Sequence, residues 1–183
     1  MAKKSTIPKT TSEGSASIPE RLKLLDRTQA FAVLATEDAG RPYTSLIAFA
    51  LSPDLTKVLF ATPKTTRKYR NILKGKHVAL LIDDRSRRGK ALLQAEALTI
   101  VGAAAPIKRG KARDELAAIF VRKHPDLEEF IQSSTTALIC VAIKECVHVS
   151  KFQTVSVWRV EGKGRSGGGV VKSVPYSGSC CSE

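Results

Sequence analysis

Short apolar runs, most of them closed by turn signals, constrain the fold of this chain more than any other feature. The runs are 31–36 (FAVLAT), 42–51 (PYTSLIAFAL), 58–62 (VLFAT) and 78–82 (VALLI), followed later by 137–150 and 154–160. Asp38-Ala39-Gly40 separates the first two, and Ser52-Pro53-Asp54 separates the second from the third. Residues 91–103 read as a longer strand, with Leu93, Ala95, Ala97 and Thr99 alternating against Gln94, Glu96, Leu98 and Ile100. Six to seven strands joined largely by tight turns imply a mainly β chain with some helix (β+α). Its sheet is antiparallel and closes into a barrel.

Helices are expected between the strands. Ser17-Ile18-Pro19-Glu20 opens the first, with Ser17 as N-cap, Pro19 in the first turn and Glu20 three residues after the cap. Thr65 is expected to cap a second helix that runs through Leu73 and stops at Gly75. Residues 111–122 and 126–132 form two more, broken at His124-Pro125 because a residue before proline is pushed out of helical space. Residues 1–17 and 161–183 are rich in Ser, Thr, Lys and Gly and read as disordered or flexible tails. The folded domain is therefore expected over 18–160.

No apolar run is long enough to cross a bilayer, and no apolar segment of a secretory signal follows the basic N-terminus. A cytoplasmic protein with no membrane partner is expected. None of the four cysteines has CxxC spacing, so neither a zinc site nor a disulfide framework is indicated. Cys140 reads as a small buried hydrophobe and the Cys180-Cys181 pair as incidental to function. Thirty basic against 17 acidic residues give a net charge of +13, which attracts anions. Basic runs at 85–90 and 108–113 read as solvated turns. Aromatics make up only 5% of the chain and none interleaves with those runs, so nucleic acid is not expected as a partner.

The segment Ala61-Thr62-Pro63-Lys64-Thr65-Thr66-Arg67-Lys68 is the strongest candidate site. A strand ends near Thr62 and a helix begins near Thr66, which brings free backbone N–H groups and a positive dipole end to one point. Lys64, Arg67 and Lys68 surround that point. Cations at a helix N-terminus oppose the dipole by roughly 0.3–1 kcal/mol each, so three of them there point to an anion. Asn71, one turn beyond Arg67, braces the corner or is a surface amide; Tyr43 and Tyr69 stack near a ring or fill packing space. Three scattered histidines, with no metal-binding pair, nucleophile elbow or phosphate-binding glycine loop, give no acid–base site.

The order of FAVLATEDAGRPYTSLIAFAL, then VLFATPKTTRKYRNI, then VALLI resembles the pyridoxamine 5'-phosphate oxidase-like family of FMN-binding split barrels. The resemblance covers about 21–83, with weaker echoes at 94–102 and 155–160. It implies a six-stranded antiparallel split β-barrel with peripheral helices, and a homodimer that holds FMN at its interface. It places Thr44, Ser45, Leu46 and Ile47 near the flavin ring and ribityl chain. Ala61, Thr62, Thr66, Arg67 and Lys68 fall near the ribityl chain and phosphate, and Gln94 near the ring. The family's C-terminal Trp and Arg would correspond to Trp158 and Arg159, although Trp158 also fits core packing.

Such a fold implies an FMN-dependent oxidoreductase acting with a small-molecule substrate or electron donor. The alternatives are a non-catalytic flavin carrier or sensor, and a haem-binding split barrel. The parent oxidases' arginine-rich C-terminal substrate signature is not evident, so their substrate is not implied.

Overall fold

The computed structural model describes residues 17–84, 95–150, 154–160 and 172–173. Within them the chain runs α1 (Ile18–Thr28), β1 (Phe31–Asp38), β2 (Arg41–Ala48), β3 (Ala50–Leu51), β4 (Lys57–Pro63), α2 (Arg67–Lys74), β5 (His77–Asp83), β6 (Ala97–Pro106), α3 (Lys111–Lys123), α4 (Glu128–Gln132), β7 (Thr136–Ser150), β8 (Thr154–Arg159) and β9 (Lys172–Ser173). The described strands form one antiparallel sheet in the order β2-β1-β5-β6-β7-β4-β3. β8 also pairs with β7, and β9 pairs with β8. β2 returns alongside β4, so the sheet curls toward closure. Six strands are seven residues or longer and form the expected barrel. The other three are short additions.

Several expected boundaries move. The run 42–51 divides at Phe49, whose ring is fully buried and whose N–H donates to the Ala30 carbonyl. β2 pairs with β1 before that point, and β3 pairs with β4 after it. Thr66, not Thr65, caps α2: its backbone is extended and its hydroxyl accepts from the Tyr69 N–H. Thr65 sits one residue too early for that bond, and its carbonyl accepts instead from the Arg70 guanidinium. The strand expected from residue 91 is described only from Ala97, since 85–94, including Gln94 and the basic run at 85–90, lie outside the described residues. The break at His124-Pro125 is present, followed by a single 3₁₀ turn before α4. Lys172–Ser173, expected within a flexible tail, form β9.

Period-2 alternation sorts the side chains. Leu34, Ile47, Phe60, Leu80, Leu98 and Ile100 point into the barrel and form its core. α1 closes the core with Ile18, Leu22 and Leu25, and α2 contributes Ile72. A second core forms on the other face of β3, β4 and β7, where Ala50, Leu59 and Leu138 pack under Phe120 of α3 and Ile131 of α4. Helices thus cover the outer face of only one part of the sheet.

β7 holds these parts together. Its first half pairs with β4 and its last third with β8, while β6 runs along its other edge. The handover falls at Lys144, the extra residue of a β-bulge opposite the Val101–Gly102 step. There the Ile143 N–H donates to the Thr56 carbonyl, and the Lys144 carbonyl accepts from the Val160 N–H. Gly102 packs so tightly against this bulge that a Cβ would overlap the Ala142 carbonyl oxygen and stand 2.8 Å from the Val141 side chain. Gly102→Ala should cost about 1–3 kcal/mol in urea unfolding. Gly75→Ala, where the nearest atom stands 3.6 Å from an added Cβ, should change stability by less than about 1 kcal/mol.

Candidate functional site

The β4–α2 corner is built by two hydroxyls. Thr62, buried at the end of β4, lies 3.0 Å Oγ–Oγ from Thr66. The Thr66 hydroxyl donates to the Pro63 carbonyl at 2.9 Å and accepts from the Tyr69 N–H. Both hydroxyl protons are therefore spent on the turn itself. Lys64 is likewise engaged: its ammonium donates to the Ser134 carbonyl at 2.7 Å and its N–H to the Thr135 carbonyl.

What the corner leaves open is the first turn of α2. The backbone N–H groups of Arg67 and Lys68 have no acceptor among the described residues. No acidic side chain lies in that turn. Arg67 is exposed, with its guanidinium 4.7 Å from the centre of the Tyr43 ring. Lys68, half-buried, makes no hydrogen bond or ion pair among the described residues. The first turn of α2 thus offers two unclaimed amides, two cationic residues and the positive end of the helix dipole, a donor set suited to phosphate. A flavin mononucleotide phosphate fits this chemistry.

The four residues of β2 divide between two faces. Ser45 pairs with Leu34, and Ile47 with Ala32, so both point into the barrel. The Ser45 hydroxyl is buried with no hydrogen-bond partner among the described residues. Thr44 and Leu46 point outward. Thr44 begins a cross-sheet row that continues through Ala35, Ala79, Val101, Glu145 and Arg159. The adjacent row is Leu46, Val33, Leu81, Thr99, Val147 and Val157.

Among the described residues no helix covers this outer face, and its two rows are largely apolar. Leu46 is 64% exposed, Phe31 57% and Val101 39%. Its charged pair is Arg159 with Glu145, at 2.8 Å.

Other expected site residues lie elsewhere. Ala61 packs against the second core, toward α3. Trp158 pairs with Cys146, points inward and packs on the main core, whereas Arg159 joins the outer row. Two surface clefts lie away from the corner, one beside Arg109 and Arg113 and one between α1 and α3. Tyr43, Thr36 and Asn71 form a buried brace that the sequence suggested only at Asn71. The Asn71 amide donates to the Thr36 hydroxyl, which donates to the Tyr43 carbonyl. Strand register, rather than any motif, was the signal for Thr36, since it pairs with Tyr43.

Two of the three histidines are engaged within the fold, and His77 is exposed at the start of β5. His124 shares a 2.8 Å bond with the Phe49 carbonyl and tilts against the Phe120 ring. His148 is buried 3.5 Å from the Glu96 carboxylate, whose same oxygen lies 3.4 Å from Arg21. Burial pushes the His148 imidazole below its usual value of 6.5, and the Glu96 charge offsets this only in part. The unfolded chain therefore binds this proton more tightly than the folded one. The contribution is whole above about pH 6.5 and is lost as pH falls below it. Between pH 7.5 and 5.5, urea unfolding of the wild type should lose more stability than that of His148→Gln. Equal losses would exclude this linkage.

Among the described residues, no helix is long and apolar enough to cross a membrane, and no group of three His, Cys, Asp or Glu side chains is placed to hold a metal. No curated protein matches the chain by sequence. Several solved structures share its fold. A heme binding protein from Mycobacterium smegmatis has 14% identity and a TM-score of 0.71, covering 80% of this chain and 60% of that one. HutZ, the heme storage protein from Vibrio cholerae, has 20% identity and a TM-score of 0.60, with coverages of 69% and 89%. An FAD-binding protein from Mesorhizobium loti has 15% identity and a TM-score of 0.57, with coverages of 73% and 94%. At such identities the likeness is one of fold. The family model for pyridoxamine 5'-phosphate oxidase, however, matches residues 18–150, most of the chain and the whole β1-to-β7 barrel. This chain belongs to the pyridoxamine 5'-phosphate oxidase family of split-barrel proteins.

Proposed function

We propose that this protein binds FMN at the β4–α2 corner, pairs with a second copy through its uncovered sheet face, and acts as a flavin-dependent oxidoreductase on a small molecule. The observation that carries the reading is the first turn of α2, where Arg67 and Lys68 bring two cationic side chains and leave their N–H groups without an acceptor among the described residues. Thr44 and Leu46, on the outer face, are the β2 residues best turned toward a ligand lying between two copies. The bound flavin supplies hydride or electron transfer; the chain anchors its phosphate, orients it and excludes water. That division of labour requires no acid–base pair from the protein. Gln94 joins this reading through the family pattern alone.

The apolar outer face supports self-association. Leu46 and Leu81 in one exposed row, next to Val101 and Phe31, put several large apolar side chains on one sheet surface, the kind of patch that marks an interaction site. Leu46→Lys should convert a dimer to a monomer in analytical ultracentrifugation and weaken FMN binding with it.

The phosphate site is tested directly. Arg67→Ala with Lys68→Ala should weaken FMN binding by about tenfold or more, read from quenching of flavin fluorescence, while the thermal midpoint stays near that of the wild type. Unchanged affinity would refute the site. Turnover of reduced nicotinamide by the yellow holoprotein separates an enzyme from a flavin carrier or sensor. Two of the similar folds are haem proteins, so haem addition is the parallel test. A Soret band with no FMN uptake would replace the flavin reading by haem binding.

A further inference from the structure

The guanidinium of Arg67 rests on an aromatic platform that is itself held in place. Tyr43, on β2, presents its ring 4.7 Å from the guanidinium carbon. The Tyr43 carbonyl accepts from the Thr36 hydroxyl at 3.3 Å, and that hydroxyl accepts from the Asn71 amide at 3.1 Å. Thr36 is 5% exposed and Asn71 2%, so the bond between them is shielded from water, while the bond to the Tyr43 carbonyl is partly buried. Asn71 follows Arg67 by four residues and so lies on the same face of α2. The linkage is closed: α2 reaches β1 through Asn71, β1 reaches β2 through Thr36, and β2 returns to α2 through the Tyr43 ring.

We propose that Tyr43 is a positioning residue that holds Arg67 in place to clasp the phosphate of bound FMN. The inference rests on the phosphate site proposed above. A guanidinium stacked on a ring uses its flat face for the contact and keeps its N–H edge for an anion. A long arginine side chain free in water would lose rotamer freedom on binding. Held on Tyr43, it has lost that freedom beforehand. The nearby Asp38 carboxylate is paired with Lys74 at 2.8 Å and makes no ion pair with Arg67 among the described residues.

The test compares FMN with riboflavin, which lacks the phosphate, in wild type, Tyr43→Leu, Tyr43→Phe, Arg67→Ala and the Tyr43→Leu/Arg67→Ala double variant. Fluorescence quenching reads affinity and thermal unfolding checks the fold. Tyr43→Leu should weaken FMN about two- to fivefold and leave riboflavin unchanged, Tyr43→Phe should restore FMN affinity, and Tyr43→Leu should cost nothing further once Arg67 is gone. Tyr43→Val, a strand former, serves if the leucine variant does not fold. Equal losses for FMN and riboflavin, or the same loss with and without Arg67, would overturn the positioning role and leave the phosphate site standing. An Arg67→Ala variant that binds FMN as the wild type does would overturn the phosphate site, and the role of Tyr43 with it.

Discussion

Everything in this barrel depends on one strand having two different neighbours along one edge. β7 is 15 residues long and pairs with β4 and then β8, while β6 follows it along the other side. A flat ladder would not allow the exchange. The bulge at Lys144 does, by adding one residue and turning the strand just where β4 gives way to β8. The cost is a backbone approach opposite the bulge that leaves no room for a side chain at position 102. With β7 bent in this way, β4 lies over the helical layer, while no helix among the described residues covers the outer face of β1, β2, β5 and β6.

That division of the outer surface determines where binding can occur. α3 and α4 cover β3 and β4 and make a second core, so the outward side chain of Ala61 is spent on packing. The uncovered part shows an apolar surface to solvent, which is costly for a lone chain and useful for one that pairs. In the proposed reading the β4–α2 corner carries the polar part of the site. Its threonines close the turn on themselves, so two amides and two cations are what remain for an anion. The polar brace from Asn71 through Thr36 to Tyr43 fixes α2 against the barrel, since its Asn71–Thr36 bond is shielded from water.

The sequence located the corner because its signals are local. A strand ending at Pro63, a capping hydroxyl and a cluster of cations all lie within one short segment, and each acts over a few residues. The cap was displaced by one residue because Thr65 and Thr66 are chemically alike, and only the Tyr69 N–H distinguishes them. The four adjacent residues from Thr44 to Ile47 could not be assigned to a face from the run alone. Alternation separates them into pairs, and the pairing of Ser45 with Leu34 decides which pair is inside. Trp158 and Arg159 divide in the same way, with the indole turned into the core and the guanidinium turned out.

The sequence by itself determined the kind of fold, its antiparallel character, its main helices and strands and the cluster of cations at the strand-to-helix corner. These follow from apolar periodicity, turn residues and helix caps, which are encoded over short stretches. Only the tertiary structure decided which strands neighbour β7, which part of the sheet the helices cover, and that Tyr43 of β2 would lie beneath Arg67 of α2. Those outcomes depend on register and on contacts between segments far apart in the chain. A shift of one residue in register would exchange every inward side chain for an outward one, and no local pattern of residues records that choice.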